Sequence, residues 1–263
     1  MSAYTVKFCN DRVSKKGFLL MNIGVIFAGG VGSRMHSKDK PKQFLEIYNK
    51  PIIVHTIEHF EKNEAIDAIV VVCVENWIEY LNELVYKYRL SKVKKVVPGG
   101  SSGQLSIYNG LCAAKEIAGD EPTIVLIHDG VRPLISPELL TRNIEDVKKY
   151  GSSITSGIVK ETIVEIEDDG RIKLVPDRAH SRVAKAPQCF WLKDIINAHN
   201  RALAEERTDF IDSCSMMNHY GFDLHMTDGP YENIKITTPD DFYTMRAILQ
   251  VKEDAQIYGL EEG

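Results

Sequence analysis

The chain has 263 residues, 44% of them hydrophobic and 26% charged, with a formal net charge of -5. That supports one globular core, and an acidic balance with no long basic tract argues against a nucleic-acid partner. The five cysteines (Cys9, Cys73, Cys112, Cys189 and Cys214) are scattered and make no C-x-x-C pair. They argue against a disulfide framework or a zinc site and fit a reducing cytoplasm.

In chain order, residues 1–20 read as a flexible N-terminal extension ahead of a second methionine, Met21, where a fold can begin. Basic residues at 12–16 before an apolar stretch imitate a secretory signal. Asn22 interrupts that stretch, however, and Gly29-Gly30-Val31-Gly32 ends it. Residues 23–28 read instead as a buried parallel strand, and no segment reads as a membrane span. A β-branched run follows at 68–74, then a helical pattern at 76–90, a short strand at 94–97 and a helix at 101–117. Residues 123–128 form another buried strand. Residues 136–150 read as a helix with Ser136 as N-cap and Pro137 at its first position. Repeated β-α units predict an α/β fold, a sheet covered by helices on both faces, with ligands at the carboxyl ends of the strands. Beyond residue 152 the alternation breaks. Residues 162–166 and 171–175 flank Asp168-Asp169-Gly170, which predicts a β-hairpin projecting as an arm over about 158–185. The domain is expected to span 21–252, with 253–263 as a tail.

The candidate chemistry falls at strand ends. Gly29, Gly30 and Gly32 allow backbone angles closed to other residues, and their N–H groups can approach an anion closely. Arg34 and Lys42 add positive charge over the same place. The spacing is neither G-x-G-x-x-G nor G-x-x-x-x-G-K-[ST], so neither a dinucleotide site nor a P-loop is expected. Gly99-Gly100 follows a second strand. His128-Asp129-Gly130-Val131-Arg132-Pro133 follows a third, where a buried carboxylate needs a partner. Asp212 can equally start a helix, and Arg178 can equally make an ion pair between subunits. Residues 238–241 read as the cap of a last helix.

The combination A-G-G-x-G-x-R-M plus Pro41-Lys42-Gln43 resembles the signature of the cytidylyltransferases that activate polyol phosphates. These are the 2-C-methyl-D-erythritol 4-phosphate and ribitol-5-phosphate cytidylyltransferases. Gly99-Gly100 with Ser106, the 128–133 sextet, Lys160-Glu161-Thr162, Asp177-Arg178, Pro187-Gln188 and Asn233-Ile234-Lys235 follow in the family's order. The resemblance implies a Rossmann-like nucleotidylyltransferase sheet and transfer of CMP from CTP to a polyol phosphate. It implies that the main chain from Ala28 through Gly29 and Gly30 to Gly32, with Gly100 and Ser106, holds the nucleotide. Arg34, Lys42 and Lys235 would be catalytic. Asp129 would hold Mg²⁺, with Glu232 as a second carboxylate beside the ion. Arg132, Thr162, Arg178 and Asp212 would bind the second substrate, and the arm would pair the chain into a homodimer.

Two departures matter. Gly103 stands where the family has arginine, which raises a non-catalytic CTP-binding regulator as an alternative, or a cation supplied from another loop. The retained Arg34, Lys42, Asp129 and Lys235 argue against loss of turnover. Arg178-Ala179-His180 and Asp212-Ser213-Cys214 are closer to the ribitol-5-phosphate enzymes, which predicts D-ribitol 5-phosphate as acceptor. The alternative is 2-C-methyl-D-erythritol 4-phosphate, for isoprenoid synthesis.

Overall fold

The apolar runs at whose carboxyl ends the motifs fall become parallel strands of one seven-stranded sheet. The computed structural model describes residues 19–29 and 40–258. Strand β1 (Met21–Ala28) leads to the short pair β2 (Glu46–Ile47) and β3 (Lys50–Pro51), then helix α1 (Ile52–Lys62). After these come β4 (Ala68–Cys73), α2 (Ile78–Lys87), β5 (Val93–Pro98), α3 (Gly103–Ala118), β6 (Thr123–Asp129) and α4 (Pro137–Tyr150). The second half carries β7 (Ser152–Ile158), the arm strands β8 (Glu165–Ile166) and β9 (Ile172–Leu174), and β10 (Arg182–Trp191). It ends with α5 (Leu192–Ala204), α6 (Ser213–His219), β11 (Met226–Asp228) and α7 (Pro239–Tyr258).

The sheet order is β11-β7-β10-β6-β1-β4-β5. Strands β6, β1, β4 and β5 are mutually parallel. Successive residues on one strand feed opposite faces. Ile26, Leu126 and Val71 pack into one core, and Val25, Ile127 and Val70 into the other. Covered on both faces, β1, β4 and β6 have no polar side to show and are largely apolar runs, whereas edge strand β5 carries Lys94 and Lys95.

Strand β10 departs from the expected parallel arrangement, because it runs antiparallel to both β6 and β7. The chain reaches β10 from β7 directly through the arm, without a crossover helix, and a direct return pairs strands antiparallel. The hairpin turn falls at Gly170, whose φ is 85°. Ser136 caps α4 by accepting the Leu139 N–H at 3.2 Å. A third, smaller core of Ile47, Ile52, Val131, Leu134, Ile236 and Met245 ties the loop after β6 to the segment before α7. That core fixes the position of Lys235, the neighbour of buried Ile236.

Candidate active site

At the end of β1, the buried Gln43 donates its Nε2 to the Ala28 carbonyl at 2.6 Å. Lys42 opens a short helical turn, and Phe44, in the same turn, stacks on Trp77 with centroids 4.9 Å apart. From that anchored turn, the Lys42 ammonium donates to the Ile236 carbonyl at 3.0 Å. The first motif and the last are therefore joined directly. Gly30, Gly32 and Arg34 lie outside the described residues.

The second glycine turn lies against the first. Ser106 Oγ donates to the Ser102 carbonyl at 2.9 Å and accepts the Gly100 N–H at 3.0 Å. A Cβ at Gly29 or at Gly99 would stand 3.1 Å from that oxygen, a tight contact that glycine avoids at both turns. Ser106, expected at the nucleotide, is thus a buried brace between the turns. Ser102 caps α3 through the Leu105 N–H. Gly103 follows it and faces the cleft, and a Cβ there would meet nothing within 4 Å. Packing therefore does not require glycine at 103. The loop nearest it carries Arg207, whose carbonyl accepts from Gln104 at 2.8 Å. The Arg207 guanidinium turns instead to Phe210 and His219.

The centre of the site is at the end of β6. Asp129 Oδ2 accepts from Arg132 Nε at 2.7 Å, and Oδ1 pairs with Lys235 Nζ at 2.6 Å. Burial pushes the Asp129 carboxyl up, but Arg132 and Lys235 outweigh it and hold the group below the usual carboxylate range. Arg132 also donates from Nη1 to the Asn233 carbonyl at 3.0 Å. Asn233 in turn donates to the Ala186 carbonyl at 2.6 Å. Asn233 is thereby a clasp that draws the 233–236 segment onto β6 and β10.

Asp129, Arg132 and Lys235 line a cleft of about 330 Å³ together with Gly103, Lys185 and Asp212. Asp212 sits at the N-cap of α6, where Oδ1 accepts the Ser215 N–H at 2.8 Å. Its other oxygen accepts from Gln188 Nε2 at 2.8 Å, and Gln188 Oε1 accepts the Cys214 N–H at 2.8 Å. Asp212 therefore caps a helix, as one reading expected, and also lines the cleft. A larger recess, about 730 Å³, lies near Gly119 and Trp191 at the far end of β6, away from both glycine turns.

Three expected residues are not in the cleft. Thr162 and Arg178 stand exposed on the arm, and among the described residues the Arg178 guanidinium donates to the Lys160 carbonyl alone, at 3.4 Å. Glu232 lines a separate recess with Leu134, Arg142 and Gly229. The two carboxylates expected to act together, Asp129 and Glu232, are thus not brought into one cleft: Asp129 lines it, and Glu232 lines the separate recess. Among the described residues, no three His, Cys, Asp or Glu side chains gather as a metal site. Lys185 and the clasp Asn233 are cleft features that the motif reading did not single out as such.

The family model for 2-C-methyl-D-erythritol 4-phosphate cytidylyltransferase (IspD) matches residues 22–251. The chain belongs to this family. It is 55% identical over 241 residues to a ribitol-5-phosphate cytidylyltransferase from Streptococcus agalactiae serotype V, covering 92% of this chain and all of that protein. It is 39% identical to a 2-C-methyl-D-erythritol 4-phosphate cytidylyltransferase from Clostridium acetobutylicum, over 88% of this chain and 98% of that one. A solved 4-diphosphocytidyl-2C-methyl-D-erythritol synthase from Anaerococcus prevotii superposes with a TM-score of 0.76 at 27% identity, covering 88% of this chain and 96% of that one. The chain is accordingly a cytidylyltransferase, a member of the nucleotidyltransferases, with the α/β fold of its relatives. Among the described residues, no helix is long and apolar enough to cross a membrane.

Proposed function

We propose that the protein transfers CMP from CTP to D-ribitol 5-phosphate, giving CDP-ribitol and pyrophosphate. The observation that carries the choice of acceptor is the 55% identity to a ribitol-5-phosphate enzyme, against 39% to a methylerythritol enzyme, each over nearly the whole length. The polarity of the cleft supports the chemistry, because it brings cations to the carboxyl edge of the sheet.

In this reading the triphosphate lies along the turns at Gly29 and Gly100. A phosphate oxygen of ribitol 5-phosphate attacks the α-phosphorus of CTP. A new P–O bond forms there as the bond to the β-phosphate bridge breaks, and pyrophosphate leaves with the electron pair. Such transfers depend on placement and on charge held ready in the site. Lys42 and Lys235, with Arg34 by family resemblance, would offset charge on the equatorial oxygens. Asp129 fixes two of the cleft cations, Arg132 and Lys235, at 2.7 and 2.6 Å.

The donor set fits magnesium only as an ion brought in with the nucleotide. Mg²⁺ keeps water and phosphate ligands and asks a protein for one or two carboxylates. Asp129, whose oxygens also hold Arg132 and Lys235, would be that one, and the ion would neutralise triphosphate charge. The reading also includes a homodimer. Ile166, Ile172 and Leu174 on the arm are 51–63% exposed, an apolar edge that a second copy would cover. On such a dimer, Thr162 and Arg178 would face the second copy. The free thiols Cys73, Cys112, Cys189 and Cys214 are consistent with a reducing cytoplasm.

Pyrophosphate release with CTP and Mg²⁺ tests the reading. A kcat/KM for ribitol 5-phosphate well above that for 2-C-methyl-D-erythritol 4-phosphate is expected; the reverse order would assign the protein to isoprenoid synthesis.

A further inference from the structure

Lys185 faces the same cleft as Asp129. It sits where β10 loses register with β7, between Ala184 and Gln188, and such a bulge re-aims a side chain at the rim of a sheet. The path of the side chain is cleared by Gly157 on β7, because a Cβ there would come within 2.9 Å of Lys185 Cε. The ammonium ends between two main-chain oxygens, donating to Tyr231 at 3.1 Å and to Pro230 at 3.3 Å. The Tyr231 ring lies 5.6 Å from it and 3.6 Å from the Lys160 ammonium.

Charge separates Lys185 from its neighbours. Arg132 and Lys235 share the carboxylate of Asp129, whereas Lys185 is held by carbonyls. Carbonyls orient the ammonium without cancelling its charge. Burial, and then Arg132, lower the Lys185 pKa; the Glu232 carboxylate acts the other way but does not outweigh them. An anion entering the cleft would offset the ammonium charge.

Topology says which anion. In the sheet, β1, β4 and β5, whose ends carry the two glycine turns, lie on one side of β6, and β10 lies on the other. A nucleotide on the turns therefore has Asp129 between it and Lys185. We propose that Lys185 binds the phosphate of the acceptor, on the side of Asp129 away from the nucleotide turns. A lysine suits this task because its compact ammonium, on a flexible stem, can leave two carbonyls and present three donors to a phosphate. The inference rests on the reading that the acceptor is a phosphate ester.

The test compares Lys185→Met and Lys185→Arg with the unchanged protein in pyrophosphate release, varying acceptor and CTP in turn. For Lys185→Met, the KM for ribitol 5-phosphate is expected to rise about tenfold or more, the size of one lost charge-assisted hydrogen bond. The KM for CTP should stay within about twofold, a result that also reports an intact nucleotide site, and Lys185→Arg should recover most of the loss. An unchanged acceptor KM, or a loss confined to CTP, overturns the assignment. A second readout needs no turnover. Lysine acetylation of the unchanged protein, mapped by peptide mass spectrometry, should show Lys185 protected by ribitol 5-phosphate and by inorganic phosphate but not by CTP. If the unchanged protein releases pyrophosphate with neither acceptor, the proposed function fails. Lys185 is then judged on protection alone, and its absence with inorganic phosphate overturns the inference.

Discussion

At the end of β6, one buried carboxylate holds Arg132 at 2.7 Å and Lys235 at 2.6 Å. On the arm, among the described residues, the Arg178 guanidinium donates to a carbonyl alone, at 3.4 Å, and Thr162 stands in solvent. Both regions carry residues that resemble family motifs. In the first, the side chains are set by a core of the same chain, through Val131 and Ile236. In the second, the arm's apolar side chains Ile166, Ile172 and Leu174 stand exposed, with no core of described residues beneath them. A polar residue is fixed in place only when the packing beneath it is complete. The β6 end is packed within one chain, and the proposed dimer would give the arm a second surface.

The strongest way to break this contrast is Asp129→Asn, which leaves Arg132 and Lys235 without their anion. Turnover should fall by roughly 100-fold or more, the scale of losing a preorganised charged group. Activity within about twofold of the unchanged protein would remove the β6 end from the mechanism. Lys42→Met should lower kcat by about 50-fold or more with a smaller change in the KM for CTP, since its charge counts most in the transition state. A loss carried by KM alone would make Lys42 a ground-state binding group.

For the arm, the pair Ile166→Glu and Ile172→Glu should convert a dimer to a species near the 29.7 kDa of one chain by light scattering. A mass that does not change between the two proteins would show that the arm does not join them. Acid should act through the buried histidines, His128 and His59 near the β6 end and His199 on α5. Burial pushes His128 and His59 down to about 4. Between the ordinary value of about 6.5 and 4, the unfolded chain binds protons that the folded chain does not, so stability falls as pH falls through that window. Tm should decline from pH 6.5 towards 4, and His128→Gln should flatten the decline; an equal slope in the variant would contradict the assignment. The smallest expected effect is that of Glu232→Gln. Because Glu232 lines another recess, turnover and its magnesium dependence should be unchanged. A right-shifted magnesium titration would return Glu232 to the site.

Legibility in the sequence followed the same division. The runs that became β1, β4 and β6 were readable because strands buried on both faces have uniform composition. The start of α4 was readable because Ser136 and Pro137 act through local backbone chemistry. By contrast, β7 is buried although it is rich in serine and threonine. Ser153 and Thr155 donate to Asn143 on α4, and that exchange of hydrogen bonds has no local pattern. Helix α1 has Ile52, Ile53, Val54, Ile57 and Phe60 all buried, which blurs its periodicity. At the site, the motifs named Asp129, Lys42 and Lys235 because local sequence carries them. Lys185 depends on a bulge, an antiparallel return and space at Gly157 on another strand. For Lys185, the bulge partner and Gly157 lie far from it in sequence, so no local pattern encodes its place.

The most direct test of the central claim is product identification. The protein is given CTP, Mg²⁺ and equal amounts of D-ribitol 5-phosphate and 2-C-methyl-D-erythritol 4-phosphate, and the nucleotide products are separated by mass spectrometry. CDP-ribitol should dominate and accumulate in step with pyrophosphate. A dominant CDP-methylerythritol, or CTP left intact beside both acceptors, would contradict the account.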